Sequence, residues 1–169
     1  PTGLTHCPTP SHRANKMIEA KALALSLPMF AFDVVSAFPH SLEDSEVIVM
    51  HPPREWWELG YGGKDDLWLM IRSLYGRQTA GANWRDFFEE VLKDYGFERS
   101  LTEPALFYQR EKELTASHHV DDGRACGPGD ELVKFKAYLT GRILIKCTDI
   151  ILDGMAYVHL KDTKLRTRD

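Results

Sequence analysis

"SHHVDDGRACG", Ser117 to Gly127, sets two aspartates side by side where an extended run ends. Like charges at Asp121 and Asp122 repel, and a turn does not need both. The pair is either a solvated turn or a place that holds a cation. The run before it, "LTASHHV" (Leu114 to Val120), and "ALFYQ" (Ala105 to Gln109) flank "REKE" as a predicted hairpin. Further upstream, "MFAFDVV" (Met29 to Val35) is short, almost wholly apolar and rich in aromatic and β-branched residues, the pattern of a buried strand. Asp33 interrupts it. An ionised carboxylate on a buried strand is costly unless it is paired or bound to a cation. If these strands are neighbours in one sheet, three carboxylates converge at one edge.

The rest of the chain supplies helices and shorter strands. "ANKMIEAKALALSL" (Ala14 to Leu27) is predicted helical, with Met17, Ile18, Ala22, Leu23 and Leu25 on one side and Pro28 as its stop. From Ala82, the residues Trp84, Phe87, Phe88, Val91, Leu92 and Tyr95 recur at helical spacing, and Gly96 closes the element. "GDELVKFKAYLTG" (Gly129 to Gly141) reads as a helix with Asp130 as N-cap and Gly141 as stop. "EVIVM" (Glu46 to Met50), "LWLMI" (Leu67 to Ile71), "ILIK" (Ile143 to Lys146) and "AYVHL" (Ala156 to Leu160) are strand candidates. No regular βαβ alternation appears. The expected class is α+β, an antiparallel sheet with helices packed on one face.

Bulk composition limits function. The 169 residues are 43% hydrophobic and 27% charged, a globular composition, with 21 basic against 25 acidic side chains and a net charge of −4. A domain that grips nucleic acid along its length carries a basic excess, so such a grip here is a local patch or comes from other segments. Cys7, Cys126 and Cys147 are widely spaced and include no CxxC pair, which points to a reducing, intracellular setting. No apolar stretch approaches the roughly 20 residues of a membrane span. The start lacks an initiator Met and the end stops without a cap, as expected of a fragment of something longer.

Carboxylate oxygens suit Mg²⁺, which is held by one or two carboxylates together with substrate phosphates. Two such ions stabilise both the attacking and the leaving oxygens of an in-line phosphoryl transfer. By spacing alone "VDD" is weak evidence, since the doublet Asp65-Asp66 reads as solvated loop. His118 and His119 are adjacent and face opposite ways on a strand, which argues against a shared zinc ion.

The order of several blocks says more. "FAFDVVSAF", "EVIVMHPP", "SLYGRQTAGANW" leading into a helix that ends "YGFERS", then "EPALFY" and "HVDDGRACG" follow one another with similar gaps in copia-type retrotransposon reverse transcriptases, which the chain resembles from about Met29 to Gly127. The resemblance implies a polymerase palm over residues 29–160, preceded by a tail and helix (1–28) and followed by a truncated segment (161–169). It implies an RNA-directed DNA polymerase that adds dNTPs to a primer 3′-hydroxyl with two Mg²⁺ ions, Mn²⁺ being possible. Asp33, Asp121 and Asp122 match the catalytic carboxylates, and the Val34 carbonyl the additional metal ligand. Phe38 matches the aromatic beneath the incoming sugar, which selects deoxynucleotides by clashing with a 2′-hydroxyl. Tyr75, Gly76, Arg77 and Gln78 match the loop that contacts nucleotide and template, and His119 and Val120 the primer-contacting pair.

Template RNA or DNA, primer and dNTPs are the implied partners, together with fingers, thumb, RNase H and integrase segments of a longer polyprotein. A cytoplasmic virus-like particle and the nucleus are both open as locations. The chain also departs from the pattern. His119 replaces the family's Tyr, Gln78 its Lys and Gly81 its Pro, with Arg77 partly restoring the charge. These departures, and the polar strand before "VDD", support an alternative: an inactive retroelement-derived remnant that acts at most as a nucleic-acid-contacting or structural module.

Overall fold

A computed structural model describes Cys7, residues 11–43 and 46–152, and the backbone of 156–159 and 162–165. The first helix, α1 (His12–Ala24), starts where the Ser11 hydroxyl accepts the Ala14 N–H at 3.1 Å, a side-chain cap for an otherwise unpaired donor. Its buried face is Ala14, Ile18 and Ala22, narrower than expected, while Met17 and Leu25 face solvent. The helix also stops before Pro28, where Ser26 takes a positive φ of 53°.

Strand β1 (Met29–Val34) follows as expected, then a 3₁₀ turn at Phe38–His40. β2 (Val49–Met50), the short α2 (Arg54–Glu58) and β3 (Trp68–Leu69) form a separate two-stranded ribbon. The apolar runs around it promised longer strands. They shrink to two residues each because they pair only with one another, leaving Val49 and Leu69 mostly exposed. Next come α3 (Ala80–Asp94), β4 (Glu98–Arg99), β5 (Leu106–Gln109) and β6 (Leu114–His119). They are followed by β7 (Asp122–Cys126), α4 (Gly129–Arg142) and β8 (Ile145–Cys147). β9 (Ala156–His159) and β10 (Asp162–Leu165) pair with each other; Leu160, expected to end the first of these, lies outside the described residues. α4 departs from expectation at both ends. Pro128 is its N-cap, with Asp130 and Glu131 in the first turn, and Gly141 lies within the helix. Carboxylates there offset the positive end of the helix dipole.

The main sheet runs β4-β5-β6-β7-β1-β8, antiparallel at every pairing. The fold class is α+β, as expected. β7 lies within it although "DGRAC" shows neither the alternation nor the β-branched residues that mark a strand in sequence. Its residues suit the place for tertiary reasons. The Phe32 ring lies over Gly123, where an added Cβ would sit 2.1 Å from Phe32 Cζ. On the other face Arg124 is 2% exposed and pairs with Glu19 of α1 at 2.5 Å.

Side chains alternate across these strands, and two clusters result. Phe30, Phe32 and Val34 of β1 join Trp84 and Phe88 of α3 and Phe135 of α4 in the main core. Met29 and Cys126 pack against Ile18 and Ala22 of α1 on the opposite face. Thus α3 and α4 share one face, and α1 covers part of the other rather than joining them. Among the described residues no helix is long and apolar enough to cross a membrane.

Gly123→Ala is expected to destabilise the protein by about 2–3 kcal/mol, the usual cost of overpacking a core that has no room to yield. Urea denaturation checks it, and a second change, Phe32→Leu, should recover most of the loss. No recovery would mean that the ring is not the obstacle.

Candidate active site

The β6–β7 turn is built from two residues, Val120 and Asp121, between the register pair His119 and Asp122. Val120 has a φ of 49°, a conformation a β-branched residue rarely adopts. The Val120 carbonyl accepts the Trp84 indole N–H at 2.6 Å, and the Asp121 carbonyl accepts the Val34 backbone N–H at 2.6 Å. These bonds tie the turn to α3 on one side and to β1 on the other.

Across the strands, Asp33 stands opposite Asp122 and Asp122 opposite His119, while Asp33 also stands opposite Lys146 of β8. By alternation all four side chains lie on the face that α1 partly covers, since Met29 shares it with Asp33 and Cys126 with Asp122. Asp33 and Asp121 are exposed and Asp122 is half-buried. Asp33 therefore corrects one expectation: it sits within a buried strand but not in the core, because its place in the alternation points it to solvent. Burial, then repulsion by Asp121 and Asp33, pushes the Asp122 carboxyl above its ordinary range, with His119 and Arg124 opposing. The three carboxylates are thus electrostatically coupled at one place on the sheet.

The donor set fits a hard divalent cation in kind, being carboxylate oxygen. Among the described residues, however, no three His, Cys, Asp or Glu side chains come together as a group able to hold a metal ion. His118 and His119 point to opposite faces. His118 lies in the core with its ring 4.3 Å from that of Phe88, its Nδ1 unpartnered and its pKa pushed down to about 3, mainly by burial.

The residues matched to nucleotide contacts divide. Phe38, half-buried at the core's margin, and Tyr75, exposed, meet with ring centroids 4.6 Å apart. Gly76 has a φ of 93°, which glycine alone adopts without strain. Gln78 is exposed. Arg77 does not present a spare charge: its guanidinium bonds Glu46 at 2.6 Å and lies 3.8 Å from buried Glu43. Glu43 also accepts from the Thr79 hydroxyl at 3.2 Å and the Ser73 hydroxyl at 3.4 Å, and Asn83 of α3 bonds Ser73 at 2.9 Å. This polar network fixes the 73–79 loop to the start of α3.

Three contributors escaped the sequence reading. Lys146 left no signal, since only register brings it opposite Asp33. Arg124 was hidden in an unrecognised strand. Helical spacing marks Trp84 as core alone, yet a buried indole needs an acceptor for its N–H, and that need is a usable sign.

The chain from residue 5 to 153 matches the protein-family model described as reverse transcriptase (RNA-dependent DNA polymerase). Comparison with curated proteins and with solved structures gives no match. The matched span takes in the whole six-stranded sheet, the Asp33–Asp122 register pair and the turn between β6 and β7. The chain belongs to the reverse transcriptase family, whose members are RNA-directed DNA polymerases acting on a nucleic-acid template and primer.

Proposed function

We propose that this chain is the palm of a copia-type reverse transcriptase, with residues 29–160 as the catalytic unit and Asp33, Asp121 and Asp122 as its metal-holding carboxylates. One observation carries the reading: register places Asp33 opposite Asp122 on an uncovered part of the sheet, with Asp121 beside it in the turn. The three carboxylates, joined by the Val34 carbonyl, would hold two Mg²⁺ or Mn²⁺ ions. When bound, such ions stabilise charge on the attacking and leaving oxygens of an in-line transfer. The chain's own residues orient the reactants. The Phe38–Tyr75 pair offers an aromatic surface for the sugar and base of a dNTP, on which the Phe38 ring would clash with a 2′-hydroxyl. Gly76 lets the backbone of its loop approach closely, with Arg77 and Gln78 following it. His119 and Val120 flank the primer end.

A second reading is a retroelement-derived remnant that folds without polymerising. It is favoured by the lack, among the described residues, of three His, Cys, Asp or Glu side chains grouped closely enough to hold a metal ion and by the engagement of Arg77 with Glu43 and Glu46. Calorimetric titration of Mg²⁺ and Mn²⁺ into the chain and into Asp121→Asn, with primer extension on an RNA template, separates the two. Binding that disappears in the variant supports the polymerase site. Equal titration curves for both proteins would favour the remnant.

A further inference from the structure

We propose that Trp84 is a positioning residue: its indole N–H, donated to the Val120 carbonyl, holds the β6–β7 turn in the backbone conformation that sets the direction of Asp121 and Asp122. The proposal rests on the reading of those aspartates as metal-holding groups. The geometry of the turn motivates it. Only the first of the two loop residues has positive φ, at 49°, the pattern of a hairpin turn that favours glycine at that place. Valine there is strained, and such strain persists only where the surroundings over-determine it.

The surroundings do so from several sides. Trp84 is fully buried, with its ring centroid 5.3 Å from that of Phe88, 5.8 Å from Phe87 and 6.1 Å from His40. Its N–H meets the Val120 carbonyl at 2.6 Å, and Val34 holds the next carbonyl at the same distance. Without the indole N–H, the Val120 carbonyl is an unpaired acceptor beside the core, and valine's own preference favours rotating the peptide. Asp121 would turn with it, being the next residue. Trp84 touches no reactant, so it acts through the turn.

The test separates holding the turn from filling the core. Trp84→Phe keeps most of the volume and removes the donor. Val120→Gly removes the strain, so the donor should matter less in that background. In primer extension and Mn²⁺ titration of the full chain, Trp84→Phe is expected to lose about fivefold to tenfold, the effect of one net hydrogen bond. The same change made together with Val120→Gly should cost less than about twofold relative to Val120→Gly alone, as strain relief implies. Equal losses in both backgrounds would overturn the proposal and leave Trp84 as packing.

Amide NMR shifts of Val120 to Asp122, recorded without metal, distinguish failure of the proposal from failure of the catalytic reading. If Trp84→Phe leaves those shifts in place, Trp84 does not set the turn. If it moves them while the unaltered chain binds no metal, the turn is held as proposed and the catalytic reading is wrong. Should Trp84→Phe not fold, benzothienylalanine at position 84, which keeps the ring shape and lacks the N–H, gives the same comparison.

Discussion

Asp122→Asn should reduce primer extension on the order of a thousandfold while leaving the metal-free protein at least as stable as before. The loss follows from the role proposed for the carboxylate, since a contribution of about 4 kcal/mol to charge stabilisation corresponds to three powers of ten in rate. The stability outcome has a different origin. In the folded chain Asp122 is half-buried and faces Asp33 and Asp121, and both effects disfavour its ionised form. Its folded pKa is raised, so the stability tied to its proton is present at low pH and fades as pH rises through the raised value. At neutral pH the ionised group is therefore a liability, which an amide does not carry. Opposite signs for activity and stability mark a residue kept for chemistry rather than for folding. Parallel measurement of extension rate and of the urea midpoint in EDTA checks both. A variant that polymerises normally, or one that is much less stable, would remove Asp122 from the proposed role.

His118 governs the second large effect, acid sensitivity. Its ring lies between Phe88, at 4.3 Å, and Phe107, at 5.6 Å, and its Nδ1 has no partner. Burial, with lesser contributions from His119 and Arg99, pushes its pKa down to about 3. The unfolded chain takes up a proton near the ordinary histidine value of about 6.5, whereas the folded chain resists it. Because the folded pKa is depressed in a base, stability is complete above about pH 6.5 and falls as pH drops below it, by up to about 1.4 kcal/mol per pH unit. Between pH 7.5 and 5 the expected loss from this group is about 2 kcal/mol. His118→Leu should flatten the curve by that amount, whatever its effect at pH 7.5. Urea midpoints at three pH values give the comparison, and since other groups titrate alike in both proteins, the difference isolates His118. Parallel curves would show that the ring is not held neutral by the core.

The depression at His118 and the elevation at Asp122 arise four residues apart in one hairpin, on opposite faces of the sheet. Alternation sends His118 into the aromatic core and His119 to the face that bears the aspartates. A single-residue slip in the β6–β7 register would exchange them, bury a carboxylate and expose the core. Gly123 guards against that slip, because only a residue without Cβ fits beneath Phe32.

Local chemistry alone determined the α+β class, the helix read from Ala82 to its closing Gly96 and found at Ala80–Asp94, the hairpin of β5 and β6, and the three aspartates as candidates. Each rests on signals within a few residues: helical spacing of Trp84, Phe88, Val91 and Leu92, a closing glycine, and charges placed where apolar runs end. Other features depended on contacts distant in the chain. β7 is a strand only because Phe32 and Glu19 accept Gly123 and Arg124. Lys146 faces Asp33 only through the register of β8, and Arg77 is neutralised only because the loop brings it to Glu43 and Glu46. Whether Asp33 is buried was also a tertiary matter, since a strand's apolar content does not say which face a neighbouring helix leaves open. Propensity and periodicity act along the chain, whereas register, coverage and charge pairing act between segments that meet only when the sheet has formed.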